Sequence, residues 1–162
     1  WIMLVSSAIL GIYTGILFSA FNARPLWNTS IMGPLFLASG LSAGSAVVIW
    51  MSKNHAERKR FAQLDLLIIG IELLLIIHMF MGFLASTQVQ IDAVNLFLGG
   101  PYTASFWGFV VILGMIVPAI LEGLELKGYK IPVAIPVVLV LFGRVMLRFI
   151  ISNAGQASRW LY

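Results

Sequence analysis

Hydrophobic residues fall in five long blocks, and most polar and charged residues gather between them. The blocks cover about residues 2–20, 32–51, 64–85, 104–121 and 131–152. At roughly 20 residues, each is long enough to cross the hydrocarbon core of a bilayer as an α-helix. The pattern predicts an all-α integral membrane bundle of about five transmembrane helices, with residues 1–162 forming one membrane domain.

Composition agrees. The chain is 60% hydrophobic and 10% charged, with a mean hydropathy of +1.01. Soluble domains carry roughly 25% charged residues. The net charge of +4 sits in the connections, so it argues for membrane topology and not for nucleic acid. The absence of cysteine excludes a disulfide framework, thiolate metal sites and iron–sulfur clusters in this chain. The sequence opens at Trp1 inside an apolar run, as part of a longer protein would.

The connections set the expected orientation. Ser52 to Gln63 carries Lys53, Arg58, Lys59 and Arg60, which marks the cytoplasmic side. The first connection, Phe21 to Gly33, then faces outward, as do Ser86 to Thr103 and the tail from Asn153 to Arg159. In the first connection Pro25 interrupts helix, Trp27 suits the membrane–water boundary, and Asn28 and Thr29 suit a helix start. Glu122 to Lys130 reads as a solvated inner turn, with Pro118 kinking the helix before it. Gly11 with Gly15, and Gly40 with Gly44, are spaced for close helix approach. Tyr13, between the first two, reads as a packed or interfacial aromatic.

Five ionisable residues lie inside apolar blocks: Asp65, Glu72, His78, Arg144 and Arg148. Asp65 and Glu72 are seven apart and share a helix face, whereas His78 lies on another. Arg144 and Arg148 are four apart and also stacked. A lone ionised carboxylate at the depth of Glu72 costs ~2.5 kcal/mol or more, so it must be neutral, paired or wet. Two readings stay open: a polar path for protons or substrate, or one buried Glu72–Arg144 pair that fixes helix positions. Haem needs two axial ligands, and only His78 lies within a block, so neither haem nor another metal is expected.

The stretches YTGILFSA, ARPLWNTSIMGPLFLASGLSAGSAVV, GFVVILGMIVPAIL and RVMLRFIISNAGQ, in that order, resemble the NrfD/polysulfide-reductase membrane subunit family, and specifically its C-terminal half. The resemblance implies half of a larger NrfD-like bundle in the bacterial cytoplasmic membrane, with the Arg24 loop and the C-terminus periplasmic. It implies a subunit without its own redox centre that binds menaquinone or ubiquinone. Electrons would be exchanged between the quinone and a periplasmic ferredoxin-like iron–sulfur subunit, which connects to a catalytic molybdopterin or haem subunit. Arg24, Asp65, Glu72 and Arg148 fall where the family has charged residues on a proton path, and Arg144 joins them. Tyr13, Arg24, Trp27 and Asn28 are expected at the quinone or partner-docking surface. The alternatives are a purely structural anchor and a small ion or solute transporter.

Overall fold

The computed structural model describes residues 1–129 and 131–158, which contain helices and no strands. Lys130 and Arg159, expected in the inner turn and the outer tail, lie outside the described residues.

Helix α1 is Ile2–Ser19 and α2 is Met32–Met51. Helix α3 runs from His55 to Leu84, well before the apolar block begins. The basic stretch is therefore mostly helix and not loop. Its start is fixed by Asn54, whose Oδ1 accepts the Ala56 amide at 3.0 Å, and Glu57 adds a favourable charge in the first turn. The outer connection holds an unexpected short helix, α4, Gln88–Leu98, which buries Ala93, Val94 and Phe97.

A continuous rod, α5, spans Thr103–Leu126. Its stretch Phe106–Ile116 is wound as a π-helix. Pro118 follows directly; it has no amide proton to give and crowds the preceding turn. Local widening is one way a membrane helix absorbs a proline. Helix α6, Ala134–Ala157, continues through the residues expected to form a polar tail. Four helices, α2, α3, α5 and α6, are long and apolar enough to cross a membrane, and α1 is a shorter apolar helix over Val5–Ser19. The protein is a helical membrane bundle.

The four long helices form a ring in which α2 packs on α3, α3 on α5, α5 on α6, and α6 back on α2; α1 lies outside against α2. Lipid removes the hydrophobic drive between helices, so small residues set the contacts. Gly15 meets the backbone of Met32 and Gly33, and Gly114 meets Gly143. The Gly40–Gly44 pair plays no such part: Gly44 has nothing nearby and Gly40 faces Arg148. The inward face of α2 is instead Ala38, Ser39, Ser42, Ser45 and Ala46. Toward the end that carries α4, the ring fills with Phe36, Phe80, Phe97, Phe106, Met115 and Leu147.

Candidate functional site

Halfway along the ring the packing turns polar. Asp65 and Glu72 come from α3, Glu122 from α5, Arg144 from α6, and Ser39 and Ser42 from α2; none is more than 3% exposed. Arg144 Nη2 lies 2.6 Å from Glu72 Oε2 and donates to Ser42 Oγ at 2.8 Å. Asp65 is within interaction range of Ser42, Glu122 and Arg144. The expected pairing of Glu72 with Arg144 is thus formed, and Asp65 stands beside it.

The balance of charge is uneven. Among the described residues the cluster holds three carboxyl groups and one guanidinium. Both oxygens of Asp65 and both of Glu122 lack a hydrogen-bond partner, as do Arg144 Nε and Nη1 and Ser39 Oγ. Unpaired buried charge costs several kcal/mol in a low-dielectric interior.

Glu122 is the residue that sequence reasoning missed. It was expected in a solvated turn, yet it is 1% exposed. Its signal lay in VPAILEGLEL, where Glu122 and Glu125 are three apart and hence on one face of a continuing helix.

The other expected residues are placed elsewhere. Arg148 is exposed on the outside of the ring, 5.7 Å from the centre of the Phe36 ring. It borders a groove of about 550 Å³ with Ser7, Gly11, Leu37, Gly40 and Leu41. Tyr13 is exposed on α1. His78 is exposed on α3 beside Leu74, Ile77 and Met81, away from the cluster.

The loop between α1 and α2 clasps the end of α6. Arg24 Nη1 donates to the carbonyls of Gln156 at 2.5 Å and Ser158 at 3.0 Å. These are carbonyls that a helix end leaves without partners, and a cation there also meets the helix dipole. Trp27 is buried, stacks on Phe18 with centroids 4.6 Å apart, donates Nε1 to the Ile151 carbonyl at 3.1 Å, and lies over Gly155. Asn28 is exposed; its carbonyl accepts from Gln90 of α4. At the opposite end Arg58 pairs with Glu125 at 3.1 Å, in a mouth of about 500 Å³ with His55, Lys59 and Tyr129. No group of metal-ligating side chains is present among the described residues.

Comparison with known proteins gives the family. A model for the family described as polysulphide reductase, NrfD, matches residues 1–158. The chain is 34% identical to protein NrfD of Escherichia coli, over 97% of this chain and 52% of the relative. It is 31% identical to the NrfD homolog of Haemophilus influenzae, over 97% of this chain and 52% of the relative. It is 32% identical to a polysulfide reductase subunit of Wolinella succinogenes, over 91% of this chain and 50% of the relative. The chain spans about half the length of these relatives. No solved structure gives a significant match. With its helical membrane bundle and a match along nearly its whole length, the chain belongs to the NrfD/polysulphide reductase family of membrane proteins.

Proposed function

We propose that this chain forms part of the quinone-reactive membrane subunit of a respiratory oxidoreductase, and that its buried cluster carries protons for the quinone reaction. The observation that carries this reading is the Glu72–Arg144 ion pair, fully enclosed and tied through Ser42 toward Asp65. Such a pair is a poor device for stability, because well-packed apolar residues would serve as well or better. Buried acids in excess of bases are suited to taking up and releasing protons, and intramembrane ionisable groups commonly do so.

A quinone supplies two-electron, two-proton chemistry, and this chain's residues supply routes and contacts. Arg148 beside its apolar groove fits a quinone: one hydrogen-bond donor for a ring oxygen and Leu37 and Leu41 for the apolar body. An iron–sulfur partner and a catalytic molybdopterin or haem subunit belong to this reading. Their docking face is the end carrying the Arg24 loop and α4, where Asn28 and Gln90 are exposed or part-exposed. Lys53, Arg58, Lys59, Arg60 and Lys127 collect at the other end, which supports a cytoplasmic orientation for it and a periplasmic one for the Arg24 loop and the end of α6. With that orientation the fold is a five-span domain of the bacterial inner membrane.

One observation favours a second reading. Arg24 and Trp27 are both spent on holding the end of α6, which suits a structural anchor. Glu72→Gln in the assembled complex separates the two. Under the proton reading, quinol turnover falls roughly tenfold or more while the complex still assembles. Unchanged turnover and unchanged proton release leave the structural anchor standing.

A further inference from the structure

Glu122 is a buried acid that the path through Asp65, Glu72 and Arg144 leaves without a task. We propose that Glu122 and Asp65 hold one proton between them and relay protons between the polar mouth at the basic end of the bundle and Glu72. This rests on the proton-carrying reading of Glu72 and adds the route by which water reaches it.

The two carboxyl groups are both buried and lie within interaction range of each other. As carboxylates neither offers a donor, and all four oxygens are then unpartnered. One shared proton supplies the missing donor and removes one buried charge. On the inward side, Arg144 donates to Ser42 Oγ and pairs with Glu72, and Asp65 lies within interaction range of both Ser42 and Arg144. On the outward side, Glu125 lies one helical turn from Glu122 and bonds Arg58, and that ion pair is part-exposed within the mouth.

Spacing along α3 supports the same line. Arg58, Asp65 and Glu72 are each seven residues apart, so one stripe of the helix carries all three. The next position, Met79, is buried and apolar, and Phe36, Phe106 and Met115 close the ring around it. Charged residues on this stripe thus continue toward the basic end and stop at Glu72 in the other direction, while Ala46, Ile49, Ala62, Val137 and Val140 pack the ring near the basic end. The charged groups facing Glu122 are Asp65 from α3, Arg144 from α6 and Glu125 from its own helix.

The step is a simple transfer. A hydronium ion at the mouth gives its proton to the singly protonated pair and leaves as water, and the pair returns to its first state by passing one proton on toward the Glu72 carboxylate; no electron moves. The reverse sequence discharges a proton to the mouth.

The test uses the assembled complex in proteoliposomes. Glu122→Gln keeps the shape and can hydrogen-bond Asp65 but cannot exchange a proton. Turnover with a soluble quinol is expected to fall roughly tenfold or more. Glu122→Asp, which keeps an exchangeable acid, is expected to retain more turnover than the glutamine variant. Infrared difference spectra of the unmodified complex should contain a deuterium-sensitive protonated-carboxyl band that Glu122→Gln removes or shifts. Normal turnover in Glu122→Gln, equal loss in both variants, or no such band in the unmodified complex overturns the proposal. If only Glu122→Gln behaves normally while Glu72→Gln is slow, the proton reading survives and this relay does not. If both behave normally, both fail.

Discussion

Gly114 of α5 and Gly143 of α6 touch backbone to backbone, immediately before Arg144. The contact holds α5 and α6 together next to the position from which Arg144 pairs with Glu72. A Cβ on either glycine would overlap the other's backbone, which cannot yield as a side-chain end can.

Gly143→Ala is therefore expected to push α5 and α6 apart, at a cost of about 1–3 kcal/mol in thermal unfolding in detergent. Gly44→Ala, where nothing lies within 4 Å, is the control and is expected to be near neutral or slightly stabilising.

Removing one partner of the central pair is expected to cost more than removing both. Arg144→Gln strands Glu72, Asp65 and Glu122 without their shared cation, at about 3–5 kcal/mol. The double variant Arg144→Gln, Glu72→Gln should recover part of that loss. A double-mutant cycle on unfolding in detergent checks the sign of the coupling.

Trp27→Phe keeps the ring against Phe18 but drops the bond to the Ile151 carbonyl, at about 0.5–1.5 kcal/mol. Arg24→Gln gives up charged contacts to the Gln156 and Ser158 carbonyls. Both changes are expected to speed amide hydrogen exchange over residues 151–158 while leaving α3 unaffected.

Orientation is open to a direct test, because the chain has no cysteine. In intact cells lacking the docking partner, Asn28→Cys in the full-length subunit should react with a membrane-impermeant maleimide that enters the periplasm. Lys127→Cys should react only after the inner membrane is opened. The reverse pattern would place the basic end outside.

Much of the fold was legible in the sequence because lipid demands long apolar helices, and α2 begins and ends where its apolar block does. The pairing of Glu72 with Arg144 was legible as one of two open readings, since a carboxyl at that depth must be neutral, paired or wet. What stayed hidden was decided by partners remote in sequence. Glu122 looked solvated because Glu125 and Lys127 follow it, and the approach of α3 and α6 buries it. Trp27 suited a membrane boundary, and only Gly155, 128 positions on, opens the slot that takes its ring. The start of α3 was obscured because its first two turns are charged and so carry no apolar signal.

The stripe on α3 also sets an electrical property. Glu72 stands 12 residues before Leu84, roughly 18 Å below that end of the helix. The intervening layer of phenylalanine, leucine and methionine is apolar, so a charge carried through it crosses that share of the transmembrane voltage. A full crossing of one charge is worth ~2.3 kcal/mol per 100 mV. Under the proposed relay, a proton arriving at Glu72 from the basic end would skip that layer, and an imposed potential should change the rate of its uptake less than it would for a full crossing.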